Sequence, residues 1–300
     1  MGRRRPFPRS CTRRGWRPSA AGSGRSQDRP RVGDAGPGVP DPEECGRAVR
    51  ELRRTFPGVT ALETIGTSRE GRPLRMLTVG DGGRHALVVG MPHPNEPVGA
   101  VAALRLAGIL AKNAALRSSL GLTWHIVPCA DPDGAALNAA WFRGPYTRET
   151  YATGIYRSPF DEQFEWTFHR ADLPDPGLPA TPESRAVMTV IDTLRPELLV
   201  SLHNGEVGGL YCYATDPSPS LRDGLARTSA TTGIPVDHGI PEEPATLLAP
   251  GVFHVPANLT GGPMLCSTDY AAQYGTFGVM TEPPLWLDPQ ADDVSAIAFR

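Results

Sequence analysis

Cysteine is scarce in this chain, and the five that occur (Cys11, Cys45, Cys129, Cys212 and Cys266) form no CxxC pair. That odd, scattered set argues against a disulfide scaffold and against thiolate zinc sites of the finger type. Long apolar runs are missing as well. No stretch reaches the ~18 residues that a membrane-spanning helix needs, and the N-terminus lacks the apolar centre of a secretory signal. These absences lead to the expectation of a reducing, cytoplasmic setting with no membrane partner. The glycines of Gly80–Gly83 lack the spacing that cradles phosphate in a P-loop or a dinucleotide fingerprint. There is no internal repeat and no clear linker.

Strong net charge is also lacking: 30 Lys plus Arg face 32 Asp plus Glu, a formal charge of -2. The balance is uneven along the chain. Residues 1–40 hold ten arginines and two aspartates, so the remainder is mildly acidic. Nucleic acid is therefore not expected as a partner of the folded body. The segment 1–40 is rich in Arg, Pro, Gly and Ser and has few large apolar residues. It buries too little to offset the entropy of ordering and is expected to be disordered. It reads as a plain extension, as an arm for nucleic acid or an anionic surface, or as a targeting peptide.

Order is expected from Asp41. Asp41-Pro42-Glu43-Glu44 has capping and acidic first-turn character, and Val49, Leu52 and Phe56 follow at helical spacing. Strands are expected over 62–65, 74–79 and 85–89, the last two separated by a hairpin-type turn at Asp81-Gly82-Gly83. A helix over 98–110, a strand over 122–128, a helix over 182–194 and a strand over 197–202 come next. A helix near 221–231 interrupts a second irregular region, 215–262, and the final strand covers 276–281. The first irregular region, 138–182, has no sustained period, and a loop that long normally has a job. The alternation predicts an α/β fold: a single domain, 41–300, with a mixed, mostly parallel central sheet flanked by helices.

The chemistry concentrates at predicted strand exits. His93 and Glu96 lie three apart in the turn after Ala86-Leu87-Val88-Val89, where an imidazole and a carboxylate can converge on one cation. His203 follows Leu198-Leu199-Val200 and is a candidate third ligand. Open α/β sheets place their sites at such exits. A mixed N/O set suits zinc, which in catalytic sites usually takes three protein ligands and leaves one position for water.

Together, His93, Glu96, the Asp131-Pro132-Asp133-Gly134 turn, His203 and Glu282 resemble the zinc carboxypeptidase family, from about Thr67 to Glu282. The resemblance implies that His93, Glu96 and His203 bind one zinc ion and that Glu282 is the general base. It implies an arginine for the developing oxyanion, expected at Arg143, although Arg148 and Arg157 lie in the same irregular region. It implies recognition of a terminal carboxylate by an Asn-Arg pair, matched here by Arg170 with His169 in place of the asparagine. The family's mobile tyrosine has no clear counterpart, since none occurs between Tyr213 and Tyr270; Phe253 or His254 falls in that region. The closing helix expected after Glu282 has little room before Arg300, so a reduced or truncated end is expected. The leading expectation is a metallocarboxypeptidase acting on C-terminal peptide bonds. The alternatives are a zinc amidohydrolase or deacylase acting on N-acyl amino acids, and a non-catalytic binding member of the fold.

Overall fold

The computed structural model describes residues 38–175, 177–238, 245–254 and 265–293. The arginine-rich segment, apart from Gly38–Pro40, and the last residues of the chain lie outside them. The first helix, α1 (Pro42–Thr55), starts as its sequence signals. Glu44 N–H donates to Asp41 Oδ1 at 2.8 Å, and Asp41 N–H donates back to Glu44 Oε2 at 2.9 Å, so two orphan donors are satisfied reciprocally.

Then come β1 (Thr60–Thr67), β2 (Pro73–Val79), β3 (Arg84–Gly90), α2 (Pro97–Lys112), α3 (Ala114–Leu120), β4 (Leu122–Val127), α4 (Pro132–Phe142) and α5 (Arg148–Gly154). The second half holds α6 (Pro182–Leu194), β5 (Leu198–Leu202), β6 (Gly205–Gly208), β7 (Tyr211–Ala214) and α7 (Pro219–Thr232). It continues with β8 (Thr246–Ala249), β9 (Val252–His254), α8 (Ser267–Ala272), β10 (Phe277–Glu282) and β11 (Pro284–Leu287). Among the described residues the main sheet has the order β1-β2-β4-β3-β5-β10-β7-β9-β8, and β6 pairs with β11 beside it.

The four central strands, β4-β3-β5-β10, run parallel. Their apolar runs follow from being covered on both faces. In β3, Leu87 and Val89 pack with Val187 and Ile191 of α6. Ala86 and Val88 point the other way, onto Ala103, Ala107 and Leu110 of α2. Those two-sided contacts also correct the hairpin expectation. β2 pairs antiparallel with β1 and β4, while β3 crosses to the far side of β4. A strand apolar on both faces is stable in the covered centre of the sheet, not at the end of a hairpin.

The region 138–182 is irregular but filled. It contains the end of α4, all of α5 and two short 3-10 turns, and it buries Trp141, Tyr151, Phe164, Trp166 and Phe168. Trp141 meets Tyr151 and Phe164 meets Phe168 edge to face, contacts made from short helices, turns and loop, so no sustained helical or strand period shows in the sequence.

Candidate metal centre

The register of β3, β5 and β10 builds the site. Gly90 lies opposite Leu202, and Leu202 opposite Thr281. The residues just past these points, His93, His203 and Glu282, therefore meet at the carboxyl edge of the sheet. His203 N–H donates to the Thr281 carbonyl at 3.1 Å, which ties the β5 exit to β10. Gly99, in the first turn of α2, permits the close approach. A Cβ there would collide with the Leu202 carbonyl oxygen and stand 2.7 Å from the Met91 nitrogen. Asn204 Oδ1 accepts the Val98 N–H at 3.3 Å, so a neighbouring strand exit caps α2. Glu96, at the N-cap position, makes no capping bond with its side chain. Its carboxylate is left for the imidazoles.

Glu96 bridges both rings: Oε1 is 2.8 Å from His93 Nδ1, and Oε2 is 2.8 Å from His203 Nδ1. All three residues are buried, and their ligand atoms lie within 4.8 Å of one another. On its other side, His203 Nε2 faces Ser201 Oγ at 3.1 Å and Glu165 Oε2 at 3.4 Å. Glu165 is itself wholly buried. It accepts from Ser201 Oγ at 3.0 Å and from Ser267 N–H and Oγ at 2.8 and 2.6 Å. With Nε2 turned to acceptors, Nδ1 is the nitrogen that can offer a lone pair to a cation. The cluster is thus suited in donor type, spacing and orientation to hold a metal ion.

Burial lowers the His93 imidazole to about 4, against the opposing pull of Glu96. Burial acts the same way on His203, but Glu96, Glu165 and Glu282 outweigh it, and its pKa is raised well above the usual range. Burial alone would raise Glu96; the two imidazoles overcome it and hold the carboxylate below its ordinary range. Without metal, one proton on His203 therefore balances part of the buried negative charge, and a cation would replace it.

Arg157 closes one side of the cluster. Its Nη1 is 3.2 Å from Glu96 Oε1 and its Nη2 is 3.0 Å from His93 Nδ1. Its side chain is 34% exposed, so a cation stands between the buried ligands and solvent. Glu282 Oε1 lies 4.0 Å from His203 Nδ1. A sequence model of the family described as "Zinc carboxypeptidase" matches residues 47–236.

This chain belongs to the zinc carboxypeptidase family. It is 28% identical to the human carboxypeptidase N catalytic chain over 218 residues, covering 62% of this chain and 46% of that one. It thus spans about half the length of the curated relative it matches. Among solved structures, it resembles a metallo-carboxypeptidase from Burkholderia cenocepacia, with a TM-score of 0.54 at 19% identity. That match covers 83% of this chain and 61% of the other. Carboxypeptidase A from Helicoverpa armigera gives a TM-score of 0.54 at 19% identity, covering 84% and 70%. At such identities the likeness is one of fold.

Within this zinc carboxypeptidase fold, three residues singled out in the sequence are placed away from the cluster. Arg143 is not at the cluster. It caps the C-terminus of α4, its side chain is 75% exposed, and its guanidinium faces Asp41 at 3.6 Å. The arginine brought to the ligands is Arg157, because the chain passes α5 before it returns to the sheet edge. Arg170 is clamped by Asp172 through bonds of 2.9 and 2.5 Å. It lies near Tyr270 and Tyr274, whose hydroxyls meet Asp192 in the last turn of α6, at the opposite edge of the sheet. His169, beside it, buries its Nε2 with no partner among the described residues and makes no contact with the cluster.

The candidates for the mobile tyrosine are held elsewhere too. Tyr270 is buried in α8, Phe253 packs with Trp166, Tyr211 and Tyr213, and His254 Nδ1 faces the Ala214 carbonyl at 3.0 Å. The Asp131–Gly134 turn supports the site from outside. Asp133 receives Ser68 Oγ, Glu70 N–H and Arg72 Nη1, and Gly134 packs under Pro94, leaving no room for a Cβ. Sequence reasoning missed Glu165 and Tyr151. The Tyr151 hydroxyl accepts from Asn95 Nδ2 at 3.1 Å and donates to Glu206 Oε1 at 2.7 Å, close to the ligand loop. Neither residue has a local sequence signal; only burial picks them out.

Proposed function

We propose that this chain is a zinc-dependent metallocarboxypeptidase that hydrolyses C-terminal peptide bonds. The observation that carries the reading is the convergence of His93 Nδ1, His203 Nδ1 and the Glu96 carboxylate, with a guanidinium beside them. Two imidazoles and one carboxylate suit a single zinc ion with a position left open. Zinc bound there supplies Lewis acidity and lowers the pKa of water.

The chain's own groups account for the rest of the chemistry. Glu282, at the end of β10, takes the proton from the attacking water on its carboxylate and passes it to the leaving amine. Arg157, not Arg143, offers guanidinium N–H donors to the oxyanion that develops on the carbonyl. The buried walls of the cluster keep the local dielectric low, which strengthens both interactions.

A second reading, an amidohydrolase acting on N-acyl amino acids, draws support from Arg170. That arginine is engaged by Asp172 away from the cluster, so the expected reader of a terminal carboxylate is not at the site. The test is to incubate zinc-loaded protein with peptides and N-acyl amino acids and to follow products by mass spectrometry, with Glu282→Gln as control. Stepwise loss of C-terminal residues, abolished in the control, is the expected result. Intact peptides with deacylated amino acids would establish the second reading instead. No turnover of either, with zinc bound, would refute both.

A further inference from the structure

Away from the metal centre, α1, β2 and the start of α4 line an open cleft of about 270 Å³. Its wall carries four arginines: Arg47 and Arg50 from α1, Arg72 from the turn before β2, and Arg75 from β2. Two of them are compensated. Arg72 is held by Asp133 at 2.6 Å, and Arg47 faces Glu44 at 3.5 Å. Arg50 and Arg75 are not paired with any acid among the described residues. They nevertheless converge. A Cβ on Gly46 would stand 3.4 Å from Arg50 Nη1 and 3.4 Å from Arg75 Nε, so the missing side chain makes the room into which both guanidinium groups reach.

Two like charges drawn to one point, with no acid partner among the described residues, repel one another, and an anion between them would offset that repulsion. Among the described residues, the carboxylate on the lip is Glu43, which acts on Arg72. The floor is apolar and neutral: Cys45 and Cys129 are buried, with burial raising the Cys45 thiol to about 12 and holding the Cys129 thiol well above its ordinary range. A low-dielectric floor beneath unpaired guanidinium groups strengthens their hold on a negative ligand.

We propose that this cleft is a binding site for a tetrahedral oxyanion of the phosphate class, with Arg50 and Arg75 as its principal ligands. Donors reach the cleft from a helix, a turn and a strand, on different sides. A tetrahedral anion presents oxygens in several directions, whereas a lone carboxylate presents two in one plane. Either free phosphate or a small phosphomonoester would satisfy this chemistry. Arg72 adds a link to the metal centre, since its partner Asp133 belongs to the same turn as Gly134, on which Pro94 of the ligand loop rests.

The test is calorimetric titration of the zinc-loaded full chain with inorganic phosphate, glycerol 3-phosphate and citrate. Both phosphates should bind, and citrate should bind more weakly. Stronger binding of glycerol 3-phosphate than of phosphate would identify an organic monoester as the ligand, and the reverse order the free ion. Replacing both arginines, Arg50→Gln with Arg75→Gln, should weaken binding by about tenfold or more, as expected for lost charge-assisted bonds. The pair Arg53→Gln with Arg54→Gln removes the same charge from the far end of α1 and should leave affinity unchanged. Without anion, the Arg50/Arg75 double variant should melt at or above the wild-type temperature, because a repulsion has been removed. Retained phosphate binding in that variant would place the anion at the zinc ion and overturn the proposal. Absence of binding to wild type, equal loss in both double variants, or a lower melting temperature would overturn it too.

Discussion

Glu165 Oε2 stands 3.4 Å from His203 Nε2, on the side of the ring away from Glu96, and the carboxylate has no exposed surface. The imidazole is therefore held between two carboxylates, one for each nitrogen. Such a partner fixes ring orientation and raises ligand basicity. Replacing Glu165 by Gln should lower zinc affinity by ~10–100-fold while leaving the fold intact. Competition against a chelator, with circular dichroism as the fold control, measures this. Wild-type affinity in a folded variant would show that Ser201 alone orients the ring.

The two arginines of the irregular region should separate cleanly in kinetics. Arg157→Gln is expected to reduce kcat by ~10²–10³, the usual effect of losing an oxyanion donor. Arg143→Gln should have no measurable effect, since its partner is Asp41 at the surface. Glu282→Gln should cost ~10²–10⁴ in kcat/KM and leave zinc affinity unchanged if, as proposed, Glu282 is the general base and not a ligand. Steady-state rates on whichever substrate is turned over, with metal content measured for each variant, decide among these outcomes.

Gly99→Ala tests the close approach of α2 to the strand exits. The new methyl group would meet the Leu202 carbonyl and the Met91 nitrogen, both of them backbone. Neither can rotate away, so the loss of stability should fall at the upper end of about 1–3 kcal/mol. Denaturant titration gives the value. Zinc affinity should fall in parallel, since Glu96 would be pushed away from the two histidines.

Asp131 sets a pH dependence. Its Oδ1 accepts the Gly134 N–H at 2.9 Å, while Oδ2 is buried without a partner among the described residues. Burial first, then Glu183 and Asp133, raises the carboxyl to about 6, against the Gly134 bond and Arg69. The folded state thus binds this proton more tightly than the unfolded state. The resulting stability is fully present below about pH 4 and is lost as pH rises through 6. Asp131→Asn keeps an acceptor for Gly134 and removes the charge. Its stability relative to wild type should be about 1–3 kcal/mol better at pH 8 than at pH 4. An offset that does not change with pH would refute this assignment.

The parts of the site legible in the sequence are those with a local signature. His93 and Glu96 share one turn, His203 follows an apolar strand, and the capping residues Asp41 and Glu44 mark the start of α1. Arg157 was not legible in this way. It lies in the same irregular stretch as Arg143 and Arg148, and only the course of the chain through α5 distinguishes the three. Glu165 looks like any loop glutamate until the fold removes it from water. Tyr211–Ala214 is buried at every position, so it lacks the alternation that would reveal a strand.

By itself, then, the sequence determined that an α/β sheet forms and that an HxxE turn and a distant histidine leave its strands, because apolar runs and turn residues act over short range. The tertiary structure alone decided which arginine faces the ligands, which carboxylate supports His203, and how Arg50 and Arg75 come together over Gly46. Those are through-space relations between charges on separate elements, and they follow from register and packing, which no local pattern encodes.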